Sequence, residues 1–140
     1  MSAGIAGGQR GPAHRLGLRP GQTVQEIGYD EDCDDALRAA VVELTGSELV
    51  DDEYEDVVDA VLLWWRDDDG DLVDALVEAI GSLADGGSVW LLTPKVGTEG
   101  HVDPADISDA APTAGLATTT SLQAAPSWSG TRLVAPKARR

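Results

Sequence analysis

The sequence predicts a single α/β domain with a mainly parallel sheet and an antiparallel hairpin at its C-terminal end. Two nearly continuous apolar runs, "VVDAVLLWW" and "SVWLLTPK", are typical of strands that are covered on both faces. Helical patterns follow or precede these runs, and two strand-like segments end the chain with no helix between them. At 140 residues the chain is long enough for one hydrophobic core without disulfides or metals.

The first strand and helix are predicted within "TVQEIGYDEDCDDALRAAVVELTG". "TVQEIGY" alternates imperfectly and indicates a short strand, and the segment after it repeats apolar residues three or four positions apart. Asp32 or Asp34 is available as the helix N-cap, and Gly46 is placed to end the helix. A very short strand is expected at Glu48–Val50.

The second helix is predicted within "RDDDGDLVDALVEAIGSLADGG", with Leu83 as the last residue of its apolar stripe and Gly86 and Gly87 as its end. Its acids have a spacing similar to that of a calcium loop, but Leu72 stands where such a loop needs glycine. Acids near a helix N-terminus explain the pattern better, because they complement the helix dipole. We therefore expect no metal site.

The remaining elements follow in order. "SVWLLTPK" is predicted as a buried strand, and a helix is predicted to begin near Pro104, a residue favoured in the first turn. "ATTTSLQAA" and "TRLVAPK" are predicted as the closing strands, and Trp128 falls in the turn "PSWSG" between them. The predicted domain spans residues 16–136, between a flexible leader at 1–15 and a basic tail at 137–140.

Charge is distributed unevenly along the chain. The net charge is −15, and 21 of the 25 acids lie between Glu26 and Asp85 with only two bases. A surface this acidic repels phosphate backbones and anionic lipid, so we expect no nucleic-acid or membrane binding by the core. Cys33 is the only cysteine, which excludes an intrachain disulfide and fits a cytoplasmic protein. A position near a helix N-terminus favours a lowered thiol pKa, but the surrounding acids oppose it, so we expect the thiol to be inert.

Two levels of resemblance are visible in these motifs. "LGLRPGQTVQEIGYD", "VVDAVLLWW", "LADGGSVWLLTPK" and the closing hairpin resemble, in order, a truncated class I methyltransferase domain. This resemblance implies a three-layer Rossmann-like fold in which Glu26 and Gly28 match the family's first acid and first glycine. The phrases "WWRDDDGDL", "LTPKVG", "GHVDP" and "WSGTRLV" are similar to the actinobacterial family known as domain of unknown function 3052, whose name implies no activity.

The turn after the first strand argues against ordinary cofactor use. Backbone must approach a nucleotide-like cofactor closely, and glycines allow that approach. In this chain the family's second and third glycines fall on Asp30 and Asp32. Asp51 has the spacing of a ribose-binding acid, so Glu26, Gly28 and Asp51 form a degenerate cofactor-binding set, and we expect no cofactor.

Two functional classes remain open. The first is a non-catalytic interaction or regulatory module with an acidic face that docks a basic protein partner; its candidate partner-binding residues are Asp30, Asp32, Asp67, Asp69, Trp65, Arg66 and Lys95. The alternative is a small-ligand-binding protein or enzyme for a nucleoside-like or S-adenosylmethionine-like molecule, with His101 as a candidate lining residue. Because parallel strands end at one sheet edge, either Arg66 or Lys95 is expected to face the acidic turn.

Overall fold

A computed structural model describes residues 15–135 of the protein. The predicted leader, apart from Arg15, lies outside the described residues, as do Pro136 and the basic tail. The described residues form one mixed α/β domain with a five-stranded sheet, which confirms the prediction of a single α/β domain. Its elements, in chain order, are β1 Val24–Ile27, α1 Asp35–Thr45, β2 Val58–Trp64, α2 Leu72–Ala79, β3 Leu83–Pro94, α3 Pro104–Thr113, β4 Ala117–Ala125 and β5 Trp128–Val134.

The sheet has the strand order β1-β2-β3-β5-β4. The first three strands are parallel, and β5 runs antiparallel to both β3 and β4. In place of the expected strand at Glu48–Val50 the chain makes a single parallel bridge between Val50 and Gln25. The carboxyl ends of β1, β2 and β3 therefore share one sheet edge, and the helices connect these strands across the two faces.

Each face of the sheet has its own apolar cluster. Leu37 and Val41 of α1 pack on one face with Leu62, Trp64 and other strand residues. On the other face, α2 and α3 cover a second cluster that includes Trp65. Trp64 and Trp65 are adjacent in sequence and point to opposite faces, so both are buried, and the alternation of β2 explains why its sequence is apolar throughout.

The limits of α1 follow the local signals. Asp34 is the N-cap and its carboxylate accepts a hydrogen bond from the backbone N–H of Leu37. At the other end, Gly46 adopts the left-handed conformation and donates its N–H to the carbonyl of Val42. Both residues were predicted as capping candidates.

Two boundaries differ from the sequence prediction. α2 ends at Ala79, and Leu83 begins β3, so Gly86 and Gly87 lie inside a long irregular strand and do not end a helix. Leu83 pairs with Val58, and this pairing competes successfully with one more helical turn. The hairpin turn is also shorter than expected, because only Pro126 and Ser127 separate β4 from β5. Trp128 therefore belongs to β5, where it pairs with Pro94 of β3 and is buried.

Candidate functional site

The turns that follow β1, β2 and β3 meet at the carboxyl edge of the sheet. Arg66, after β2, reaches back to the turn after β1, where it contacts Gly28 and Asp32. On its other side, Asp67 donates its N–H to the carbonyl of Gly100 in the loop after β3. The expectation that a base faces the acidic turn is confirmed, and that base is Arg66.

Arg66 binds several groups from its central position. Its guanidinium holds the Asp32 carboxylate with two hydrogen bonds of 3.0 Å and 2.5 Å. Nη1 donates to the carbonyl of Gly28 at 2.9 Å and also lies 3.3 Å from the carboxylate of Asp69. Only 12% of the Arg66 side chain is exposed. We call Arg66, Asp32, Asp69 and the Gly28 carbonyl the Arg66 network. It joins the acidic turn after β1 to the acidic turn after β2.

Gly28 lies against the backbone of β2. It has a φ of 84°, and a Cβ at this position would lie 2.4 Å from the carbonyl oxygen of Trp64. A side chain here would both strain the backbone and collide with an atom that cannot move away. Glycine is therefore needed at this position for packing within the protein.

Trp128 closes the same region from the hairpin. Its indole N–H donates to the backbone carbonyl of Asp32 at 3.1 Å, and its ring meets Trp64 edge-on, with centroids 4.9 Å apart. The guanidinium carbon of Arg66 lies 5.3 Å from the centre of the Trp128 ring, within the range of a cation–π interaction. The acidic turn is thus held from two directions.

The degenerate cofactor-binding set makes internal contacts. Glu26 is bound by Arg38 at 2.6 Å and 2.9 Å and by the indole N–H of Trp64 at 2.9 Å, with 8% of its side chain exposed. Asp51 is exposed, and its carboxylate accepts a hydrogen bond from the backbone N–H of Glu53. These contacts give Glu26 a structural role in joining α1 to the sheet.

The electrostatics of the turn follow from its contacts. The hydrogen bonds from Arg66 lower the pKa of Asp32, and hydrogen bonding to Asp32 raises that of Arg66. Burial raises the pKa of the Cys33 thiol to about 11, although Arg66 lies 3.2 Å from its sulfur. The thiol is therefore protonated at neutral pH, which is unfavourable for a nucleophile.

The predicted partner-binding residues divide into exposed and enclosed groups. Asp30 and Asp67 are exposed, Lys95 is half-buried, and Asp32 and Asp69 are held by Arg66. The prediction that Trp65 binds a partner is wrong. This residue is 8% exposed and packs in the core under α2 and α3, so its indole is not available to a partner. Arg66 is likewise largely enclosed.

Four acids of this edge remain exposed and make no ion pair among the described residues. Asp30 and Glu31 come from the first turn, and Asp67 and Asp68 come from the second. We call these four residues the acidic rim. The Arg66 network holds the two turns together, so the rim consists of four exposed acids on two linked turns.

His101 lies beside a cavity at the carboxyl half of the sheet. Its Nδ1 is 3.0 Å from the carbonyl of Pro94, and because a carbonyl only accepts, Nδ1 carries the proton. The ring lines a cavity of about 290 Å³ between α3 and the hairpin, together with the hydroxyl-bearing side chains Thr93, Ser129 and Thr131. In the neutral imidazole, Nε2 is then the acceptor.

Two of these contacts had no signal in the sequence. Arg38 lies twelve residues after Glu26, and nothing in the helical pattern singles it out as the partner of that acid. Trp128 was placed in a turn, although the tight hairpin brings it to Asp32.

Within residues 15–135 no group of three or more His, Cys, Asp or Glu side chains is arranged to hold a metal ion. No helix in that part of the chain has the length and hydropathy to cross a bilayer.

The fold is similar to that of solved methyltransferases. The solved structure of the mitomycin 7-O-methyltransferase MmcR aligns with a TM-score of 0.61 and 13% identity over 83% of this chain and 49% of its own. The pyocyanin biosynthetic protein PhzM gives 0.62 and 14% over 87% and 52%. A putative type 11 methyltransferase from Sulfolobus solfataricus gives 0.58 and 14% over 86% and 88%. The chain spans about half the length of the first two, and at such identities the likeness shows the fold alone.

Sequence comparison identifies the family more closely. The model described as "Protein of unknown function (DUF3052)" matches residues 13–137, and the chain belongs to this family. Uncharacterized proteins of Mycobacterium tuberculosis and Mycobacterium bovis are each 55% identical over 127 residues, which cover 91% of this chain and 80% of theirs.

Proposed function

We propose that the protein is a non-catalytic binding module of the cytoplasm, in which a methyltransferase-like scaffold presents the acidic rim to a basic protein partner. The observation that carries this proposal is the position of Arg66, whose enclosed guanidinium joins the turns after β1 and β2. A cofactor that used this turn would have to displace the Arg66 network.

The backbone of the first turn supports the non-catalytic part of the proposal. A turn that binds an anionic cofactor offers free N–H groups. Here the N–H of Asp30 donates to the sulfur of Cys33, that of Glu31 to the Asp30 carboxylate, and that of Cys33 to the Asp30 carbonyl. These three donors are used within the turn, and the carboxylates around them repel an anion.

The acidic rim supports the docking part. Four like charges lie on two turns that the Arg66 network holds together, so their mutual repulsion is relieved when a cationic surface binds. Complementary charge of this kind accelerates association and selects against acidic partners. A segment rich in lysine and arginine is therefore the kind of partner that fits this surface.

The docking test uses a peptide of alternating lysine and glycine, titrated calorimetrically into two variants of equal charge. D30N/E31Q/D67N/D68N removes the rim, and D74N/E78Q/D106N/D109N removes four exposed acids of α2 and α3. We expect the rim variant to bind at least about tenfold more weakly than the wild type, which is about 1.4 kcal/mol, and the control to bind normally. Equal weakening of both variants would show that net charge alone attracts the peptide.

The non-catalytic part has its own test. A ligand that binds the native state at a hundred times its dissociation constant stabilises it by about 2.7 kcal/mol. We expect millimolar S-adenosylmethionine or its demethylated product to leave the melting temperature unchanged. A clear rise that is absent when Asp32 is replaced by Arg would mean that the turn does bind the cofactor.

A second candidate function is the binding of a small ligand at the His101 cavity. It is favoured by the buried hydroxyl groups of Thr93 and Thr131, which make no hydrogen bond to other described residues, and by the acceptor nitrogen of His101. Uncharged nucleosides are suitable probes, since the lining residues include no Asp, Glu, Lys or Arg. Backbone amide shifts confined to Gly130 and Thr131 in NMR titrations would support this function, and their absence at millimolar nucleoside would exclude it.

A further inference from the structure

Three arginines surround a cavity on the half of the sheet opposite to the acidic rim. Arg15 and Arg19 come from the segment before β1, and Arg132 comes from β5. The cavity has a volume of about 490 Å³, and its polar lining also includes Gln22, Ser88 and Thr120. This volume lies in the range of natural small-molecule sites.

The sheet forms the floor of this cavity. Arg132 lies between Trp90 of β3 and Thr120 of β4 in the strand register, so these residues are neighbours on one face. The segment before β1 forms the wall, and it is fixed by the hydrogen bond of 2.9 Å from the Trp90 indole to the carbonyl of Leu16. The sheet and a segment hydrogen-bonded to it thus line the cavity on two sides.

The three arginines differ from the other described arginines in their partners. Arg38 and Arg66 are both bound by carboxylates. Among residues 15–135, by contrast, none of the three cavity arginines makes an ion pair. This is unexpected in a chain with 25 acids and 10 lysines and arginines. An arrangement of like charges around one cavity is unfavourable unless an anion joins them.

The hydrogen bonds of the arginines leave many donors available. One guanidinium nitrogen of Arg15 donates to the carbonyl of Gln123, and one of Arg132 donates to the hydroxyl of Thr119. A guanidinium has five N–H donors, so most remain for a ligand. Asp59 is the one acid among the lining residues, and its carboxylate accepts a hydrogen bond from the N–H of Thr23.

We propose that this cavity binds a phosphorylated small molecule of up to nucleotide size. Guanidinium groups bind phosphate oxygens with paired hydrogen bonds, and the hydroxyls of Ser88 and Thr120 add further donors. Three arginines match a ligand with more than one negative charge. The proposal concerns a different surface from the acidic rim, so it stands or falls independently of the proposed docking function.

The test uses pyrophosphate and adenosine triphosphate as phosphate probes and citrate as a carboxylate probe of similar charge. Binding is measured by calorimetry, and the site is located by amide shifts of Gly86 and Ser88 in NMR spectra. The variant R15Q/R19Q/R132Q removes the three charges with little loss of volume. The control K137Q/R139Q/R140Q removes three charges from the end of the chain, so both variants have the same net charge.

We expect both phosphate probes to bind the wild type and the control, and the cavity variant to bind at least about a hundredfold more weakly, since each charge-assisted hydrogen bond contributes roughly tenfold or more. Should R132Q prevent folding, judged by circular dichroism, R15Q/R19Q is compared with R139Q/R140Q, which has the same net charge. Citrate binding as tight as that of pyrophosphate would overturn the assignment to phosphate.

Two further results would overturn the proposal. One is equal weakening of phosphate binding in the cavity variant and the control, since binding would then follow net charge. The other is self-association of the wild type that both the cavity variant and the rim variant abolish, because the arginines would then serve the acids of a second copy. Light scattering over a range of protein concentrations distinguishes this case.

Discussion

The arginines at the two ends of the parallel strands differ in their partners. At the carboxyl edge, Arg66 is enclosed and saturated by acids, and further acids of the rim remain exposed around it. At the amino half, Arg15, Arg19 and Arg132 face a cavity without acid partners among the described residues. In folds of this type ligands generally bind at the carboxyl edge. Among the described residues, the arginine of the carboxyl edge joins two turns of the protein, whereas the arginines of the amino half keep guanidinium donors that no described group accepts.

The largest expected loss of stability comes from substituting a glycine at the carboxyl edge, compared with one at the amino half. Gly28→Ala adds a Cβ 2.4 Å from the Trp64 carbonyl oxygen at a φ of 84°, and we expect the free energy of unfolding to fall by about 2–5 kcal/mol. Gly17→Ala at the amino half has a similar φ of 76° but meets no atom within 4 Å, so it should lose only about 1–2 kcal/mol. Urea denaturation measures both values, and equal losses would mean that the collision with Trp64 is relaxed away.

Removing one arginine from each side gives the next largest effect. Arg66→Met leaves the Gly28 carbonyl without this donor and breaks the link between the turns, so we expect a loss of about 2–4 kcal/mol in the free energy of unfolding. Arg19→Met removes an exposed charge and should change it by no more than about 0.5 kcal/mol. A loss of under 1 kcal/mol for Arg66→Met would show that the network contributes little to stability.

Acidification should weaken the carboxyl edge through Asp32. Its pKa is lowered in the folded protein, so its contribution to stability is complete above the unfolded value near 3.8 and is lost as the pH falls through the lower folded value. Because half of the side chain is exposed, we expect the effect to be below about 1 kcal/mol. Urea midpoints at pH 5 and pH 3 should fall further for the wild type than for Asp32→Asn; parallel falls would contradict the assignment.

The smallest effect concerns the acidic rim itself. D30N/E31Q/D67N/D68N relieves repulsion among exposed like charges, and we expect it to stabilise the protein by about a few tenths of a kcal/mol at low salt. The control D74N/E78Q/D106N/D109N should instead destabilise it slightly, because Asp74 and Asp106 lie in the first turns of α2 and α3, where acids favour the helix. Thermal melts at low and high salt measure both, and a rim variant that is less stable than the wild type would contradict this view.

Local signals account for the parts of the fold that the sequence predicted well. Asp34 and Gly46 lie at the ends of α1 because capping depends on residues a few positions apart. The predicted end of α2 was wrong because Leu83 fits the apolar stripe of the helix but pairs with Val58 in the sheet. That pairing joins residues 25 positions apart, and no local pattern contains it.

The candidate sites show the same division. The acids of the carboxyl edge are concentrated in two short stretches, so their meeting could be expected from the topology alone. The choice between Arg66 and Lys95 could not, because it depends on the direction of each side chain. The arginine cavity was missed for a related reason. Arg15 and Arg132 are 117 positions apart, and they line one cavity because Trp90 pairs with Arg132 and also binds the carbonyl of Leu16.

The hydrogen bond from Trp128 to Asp32 joins residues separated by 96 positions in the chain. A ribosome therefore completes the acidic turn, α1, β2 and β3 well before it supplies the side chain that closes over that turn. Contacts between distant positions form late because the intervening chain must first be ordered. During synthesis the carboxyl edge lacks this side chain until the hairpin emerges, and a chain truncated before β5 lacks the contact between Trp128 and Trp64.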